Sequence, residues 1–86
     1  MRTPQLTEPL PLDMQPVTAT AAAEILGRKR GTIGSWVTRY HVLVLGRIDQ
    51  KTYYDLVDLT IIEREIRLHR PVPENWAGRR AIRHNY

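Results

Sequence analysis

The chain has 86 residues, no cysteine and a formal net charge of +4 at pH 7. A chain of this length holds one small domain with little room for a deep catalytic cleft, and without cysteine neither disulfides nor thiolate metal ligands support its core. Its aliphatic runs are far shorter than the roughly 20 residues of a membrane span, and four prolines in residues 1–16 leave no signal-peptide pattern, so we expect a cytoplasmic protein.

The positive charge is concentrated in two segments. Residues 17–42 carry a net charge of +3 and residues 71–86 carry +2, whereas residues 1–16 carry −1 and residues 43–70 are neutral. Localised positive charge is typical of nucleic-acid-binding proteins, although many basic patches are only solvated surface.

The N-terminal residues 1–16 show no helical or alternating apolar period and predict an extended or disordered proline-rich arm. From Val17 onward the pattern changes to a helical one. Thr18 is a suitable N-cap, apolar residues follow at helical spacing, and Gly27 is placed to end the helix in a left-handed conformation. These signals predict a first helix over residues 19–26.

A second helix is predicted over residues 30–39, with a buried and an outer face. The buried face consists of Ile33, Trp36, Val37 and Tyr40, which recur at i, i+3, i+4 and i+7. The outer face carries Thr32, Ser35 and Arg39. Gly31 and Gly34 each cost this helix up to roughly 1 kcal/mol relative to alanine, so its formation depends on docking of the buried face. Because the two glycines have no side chains, they also allow the outer face of this helix to approach another surface closely.

Residues 42–55 predict a small β-hairpin. Two extended runs, 42–48 and 52–55, are joined by Asp49, Gln50 and Lys51, and Gly46 is placed for a bulge or bend. The hairpin leads directly into the next predicted helix.

The third predicted helix begins after Asp55, which is placed as its N-cap, and ends before Pro71. Its apolar stripe consists of Leu56, Leu59, Ile62 and Ile66. We interpret Asp58 as a partner of the helix dipole, and Glu63 and Glu65 as residues of a solvated face.

Residues 71–86 predict a basic C-terminal tail, either frayed or ordered on a partner, with Trp76, Arg79, Arg80 and Arg83. The domain between the two tails, residues 17–70, then has the order helix, turn, helix, hairpin, helix. This order predicts a mainly α fold with a small β-hairpin wing, the winged helix-turn-helix.

Catalysis, cofactors and metal ions are not expected. The segment between Gly27 and Gly31 lacks the four intervening residues and the following lysine of a nucleotide phosphate-binding loop. Ser35 is the only serine and has no base placed with it by a recognisable motif, and the three histidines lie far apart without cysteine companions.

Binding of double-stranded DNA fits the pattern better. A helix that enters the major groove presents short polar and cationic side chains while its back packs on the domain. We expect the outer face of the second helix to contact bases, the three cations at its start to contact phosphates, and the hairpin cations to lie near the flanking minor groove. The candidate DNA-binding residues are Arg28, Lys29, Arg30, Thr32, Ser35, Arg39, Arg47 and Lys51.

The stretch VTATAAAEILGRKRGTIGSWVTRYHV, followed by LVLGRIDQKTYYDLVDL, resembles the MerR-like winged helix-turn-helix superfamily, and within it the excisionase-type proteins of phages and mobile elements. The matching residues are Thr18, Ala22, Ala23, Leu26, Gly27, Thr32, Ile33, Trp36, Asp58 and Leu59. The resemblance implies a DNA-bending protein without catalytic activity that assembles cooperatively beside a recombinase at attachment sites and controls site-specific recombination. Lys29 stands where this family has a capping serine, and Gly34 replaces a larger residue on the outer face.

Other functions remain open at this point. Small DNA-recognition subunits of phage terminases and small transcriptional regulators use a similar fold, and a protein-interaction or virion-structural module would keep the fold without binding DNA. The third helix is too short for the coiled coil of a large effector-sensing regulator. The tail residues Trp76 and Ile82 are the candidate contacts for an integrase or a neighbouring copy.

Overall fold

A computed structural model describes residues 14–82. Along the chain, two helices precede the β-hairpin and two follow it. The elements are β1 (Pro16–Val17), α1 (Ala19–Leu26), α2 (Arg30–Tyr40), β2 (Val44–Ile48), β3 (Lys51–Asp55), α3 (Leu56–Arg67) and α4 (Trp76–Ile82). The strands form an antiparallel sheet in the order β1-β3-β2. This part of the chain is a small, mostly helical domain, and none of its helices is long and apolar enough to cross a membrane.

The predicted first and second helices are confirmed, and their ends follow the local signals. Thr18 accepts a hydrogen bond from the backbone N–H of Ala21 at 3.1 Å, as expected of an N-cap. Gly27 has φ 66°, a left-handed conformation in which a side chain would be strained, and it ends α1. Lys29 is the N-cap residue of α2 and makes no side-chain capping bond.

One apolar core joins α1, α2 and α3. Its buried members are Ala22, Ala23, Ile33, Trp36, Val42, Leu59 and Ile62. The predicted apolar stripes supply most of these residues, and Val37, Tyr40, Leu56 and Ile66 pack against the cluster while half-buried. Burial of these side chains stabilises α2 despite its two glycines.

The hairpin turn is shorter than predicted, and Lys51 belongs to a strand. Asp49 and Gln50 have φ of 50° and 67°, and positive φ at both central residues is typical of a type I′ turn. Ile48 therefore pairs directly with Lys51. The register shifts between Val44 and Gly46, in agreement with the bulge or bend predicted at Gly46.

Strand β2 begins two residues later than predicted because Asp58 binds the preceding backbone. The N–H of Leu43 donates to Asp58 Oδ2 at 3.1 Å, and the carbonyl of Leu43 accepts from the N–H of Asp55 at 3.0 Å. Val42 is buried in the core. The base of the hairpin is thus fixed to the first turn of α3.

The structure differs from the predicted basic tail at residues 76–82, which form α4 and pack on α3. Arg79 is fully buried, and its guanidinium forms a bidentate ion pair with Asp58, with Nη2 and Oδ2 at 2.9 Å. Its Nη1 also donates to the carbonyl of Pro73 at 2.8 Å. Asp58 is therefore the partner of a buried cation as well as a residue of the first helical turn. Arg83 lies outside the described residues.

Glu65 is also buried, contrary to the prediction that it belongs to a solvated face. Its oxygens accept bonds from Arg64 at 3.1 Å and from Arg70 at 3.0 and 3.1 Å. The two guanidinium groups compensate the charge that burial would otherwise leave in a low-dielectric site. On the same helix, Arg67 Nε lies 3.2 Å from Glu63 Oε2, one helical turn away.

The predicted extended or disordered arm, residues 1–16, lies mostly outside the described residues, and its last residue belongs to a strand. Pro16 and Val17 form an edge strand, paired with Asp55 and Tyr54 of β3. Proline is tolerated there because an edge strand leaves one side of its backbone unpaired. Residues 1–13 of the predicted arm are outside the described part of the chain.

Asp55 caps α3 as predicted, and its side chain is also buried. Its Oδ1 accepts from the N–H groups of Val57 at 3.1 Å and Gln15 at 3.3 Å. Burial raises the pKa of the Asp55 carboxyl above its ordinary value of 3.8, while these two amide bonds act in the opposite direction. Folding therefore favours the protonated form of this carboxyl.

This pKa shift predicts how Asp55→Asn changes the pH dependence of stability. The native state holds the Asp55 proton more tightly than the unfolded chain, so the wild type loses stability as the pH rises from 3.8 through the folded pKa. The variant keeps a capping oxygen and has no such loss. In urea unfolding, the free energy of unfolding of the variant minus that of the wild type should rise as the pH increases through this range and then level off. A pH-independent difference would contradict the shift.

Candidate nucleic-acid interface

The outer face of α2 is centred on small residues. Gly31, Gly34, Ser35 and Thr38 are exposed and recur at i, i+3, i+4 and i+7, opposite the buried Ile33 and Trp36. Apart from the neighbouring residues and the backbone of α2 itself, no heavy atom lies within 4 Å of a Cβ placed on Gly31 or Gly34. The face is therefore low and open, and the helix backbone lies unusually close to its outer surface.

The predicted contact residues of α2 occupy different parts of this face. Ser35 and Arg39 are exposed, and the guanidinium of Arg39 lies 5.5 Å from the ring centre of Tyr40. Thr32 is half-buried, so it lies at the margin of the face. Thr38 is more central, and the sequence interpretation missed it, although its spacing from Gly31 and Ser35 carried the signal.

The three consecutive cations before α2 do not act as one group. Lys29 is exposed at the N-terminus of the helix, where its positive charge and the uncapped end attract anions. Arg30, the first helical residue, is exposed, and its Nε donates to Thr20 Oγ1 at 2.9 Å. These two cations therefore lie beside the outer face of α2.

Arg28 has a structural partner instead. Its Nη2 lies 3.2 Å from Glu63 Oε2 on α3, and its guanidinium lies 5.6 Å from the ring centre of Trp36. The side chain is only 32% exposed. Arg28 thus ties the turn between α1 and α2 to α3, which makes it a weaker candidate for phosphate binding than Lys29 or Arg30.

The hairpin presents its two cations near its turn. Arg47 on β2 pairs with Thr52, Lys51 is the first residue of β3, and both cations are exposed. Because β3 is the central strand and β2 an edge strand, Lys51 lies on the strand nearer to α1. The described residues thus place five exposed cations around α2 and the hairpin: Lys29, Arg30, Arg39, Arg47 and Lys51.

Comparison with known proteins adds no family to this description. No protein family model matches the chain, and no curated protein or solved structure matches it either.

Proposed function

We propose that the domain is a winged helix-turn-helix that binds double-stranded DNA, with α2 in the major groove and the β2–β3 hairpin as the wing. The observation that carries this proposal is the outer face of α2, which has small residues at its centre and exposed cations at its edges. A helix with this surface can approach base edges closely, since only hydrogen atoms stand at Gly31 and Gly34.

The charge distribution supports the same proposal. Phosphate contacts orient a protein on duplex DNA, and lysine and arginine supply most of them. Lys29 and Arg30 lie at one end of α2 and Arg39 at the other, while Arg47 and Lys51 are on the hairpin. We therefore expect this set of cations to contact phosphates on both sides of the groove that α2 enters.

Within DNA-binding proteins, we propose an architectural role of the excisionase type. The support is the resemblance of the helix-turn-helix and wing segments to that group, together with the short α3 of 12 residues, which does not extend into a dimerising coiled coil. Contact with an integrase and cooperative assembly on DNA remain predictions. Trp76 and Ile82 are half-buried in α4, so only part of each side chain is accessible to a partner.

The salt dependence of binding tests the proposal directly. Four or five neutralised phosphates should give a slope between about −3.6 and −4.5 in a plot of log affinity against log salt, at roughly −0.9 per phosphate. Fluorescence anisotropy with a labelled duplex measures this slope. A salt-independent affinity, or no binding at low salt, would exclude the proposed function.

Two substitutions separate base contacts from phosphate contacts. Arg39→Ala should reduce the preference for a selected site over mixed-sequence duplex by about 1–3 kcal/mol, the usual value of a good base contact. Lys29→Ala should weaken both complexes equally and leave the preference intact. The measurement is the ratio of the two dissociation constants for each variant. Equal ratios in both variants and the wild type would remove Arg39 from the base-contacting set.

A further inference from the structure

An open groove of about 580 Å³ lies between the first half of α1, the start of α2 and the turn end of the hairpin. The residues on its walls that bear on its chemistry are Thr20, Glu24, Arg30, Gln50, Lys51 and Thr52. Cations from two separate elements, Arg30 and Lys51, thus line one groove. Glu24 is its single carboxylate among the described residues, which leaves the lining with a net positive charge.

The Arg30 side chain is held at the wall of this groove. Its Nε donates to Thr20 Oγ1 at 2.9 Å. A threonine hydroxyl that accepts this bond keeps its own proton for a further acceptor. Within residues 14–82 neither Arg30 nor Lys51 forms a direct ion pair, so both cations are available to an anion.

We propose that this groove holds one phosphodiester of the bound duplex, shared by the Arg30 guanidinium, the Thr20 hydroxyl and the Lys51 ammonium. The proposal rests on the proposed DNA binding and adds a defined contact to it. Arginine, lysine and threonine are common donors to phosphate oxygens. Arg30 begins the helix placed in the major groove and Lys51 begins the second strand of the wing. The DNA strand that passes from one element to the other therefore crosses the groove between them.

A shared phosphate makes a quantitative prediction that two separate phosphates do not. In anisotropy titrations against salt, the double variant Arg30→Gln with Lys51→Gln should reduce the slope by about 0.9 relative to the wild type. Two independent contacts would reduce it by about 1.8. Arg47→Gln is the matched control, since Arg47 is a cation of the edge strand β2. Combined with the double variant, it should reduce the slope by the same amount as it does in the wild type.

Replacement of single phosphates by neutral methylphosphonates locates the contact. On a duplex recovered by selection from a random pool, one position should weaken wild-type binding by about tenfold or more, as expected for charge-assisted hydrogen bonds. The same replacement should have little effect on the double variant. Thr20→Val, which lacks the hydroxyl, should lose part of the binding affinity, whereas Thr20→Ser, which keeps it, should bind as the wild type does. Glu24→Gln, which removes the negative charge from the groove, should bind more tightly.

The possible outcomes separate this proposal from the proposed function. Absence of duplex binding by the wild type would overturn both. Wild-type binding with a slope loss near 1.8, or with no methylphosphonate position that depends on both Arg30 and Lys51, would overturn the shared phosphate and leave DNA binding intact. A slope loss near 0.9 together with one such position would support it.

Discussion

Replacement of Arg79 with methionine is expected to destabilise the domain by about 3–5 kcal/mol, as breaking buried ion pairs generally does. Arg79 and Asp58 both have fully buried side chains, so the substitution leaves the Asp58 carboxylate without its cation. Small domains have a total stability of only about 5–15 kcal/mol. Urea unfolding followed by circular dichroism should therefore show a large shift of the midpoint or loss of the folded baseline.

A second substitution distinguishes the lost ion pair from lost packing. Asp58→Asn in the Arg79→Met background removes the uncompensated charge and keeps an oxygen acceptor for the N–H of Leu43. The double variant should recover a substantial part of the stability. Arg80→Met is the control on the same helix, since Arg80 stacks 5.4 Å from the ring centre of Trp76 and is half-buried, so its loss should cost about 1 kcal/mol or less. A comparable cost for Arg79→Met would contradict the assigned role of the pair.

Substitution of Gly31 and Gly34 by alanine is expected to act in opposite directions on stability and on DNA binding. Each glycine costs a helix about 0.8–1.0 kcal/mol relative to alanine, and a methyl group at either position meets no atom within 4 Å beyond its chain neighbours and the helix backbone. The double variant should therefore gain up to about 2 kcal/mol in free energy of unfolding. Its affinity for duplex should fall by about 1–3 kcal/mol, the value of a good base contact, because the two methyl groups hold α2 away from the groove.

Thr60→Ala is the matched control for this pair. Thr60 is exposed on α3, and alanine there raises helix propensity at the cost of one bond to the carbonyl of Leu56. This variant should change stability by a few tenths of a kcal/mol and leave the affinity unchanged. If the glycine variant is more stable and binds duplex as tightly as the wild type, the outer face of α2 does not contact DNA.

The first three helices were predictable from sequence because their signals are local. Thr18, Gly27 and Asp55 mark helix ends within one turn of the residues that they cap, and the apolar stripes have helical spacing. The hairpin was predictable as an element, but the length of its turn was not. Glutamine rarely adopts positive φ, so Gln50, which has φ 67°, gave no turn signal in the sequence.

Helix α4 was not predictable because its stabilising contacts are distant in sequence. Its seven residues are too few to form a helix without packing, and its buried anchor, Arg79, pairs with a residue 21 positions earlier. Sequence also gives no sign of which charges are buried. Arg28 and Arg30 look equivalent in the run of three cations, yet one binds Glu63 and the other binds Thr20.

The double role of Asp58 affects how deletion mapping of this protein would be interpreted. The carboxylate that receives Arg79 from α4 also holds the N–H of Leu43, just before the hairpin. A chain shortened at Pro71 would therefore leave the buried Asp58 carboxylate without its cation at the base of the β2–β3 hairpin. Because this would destabilise both the hairpin and the domain, a loss of duplex binding after such a truncation would not by itself identify the C-terminal segment as a DNA contact.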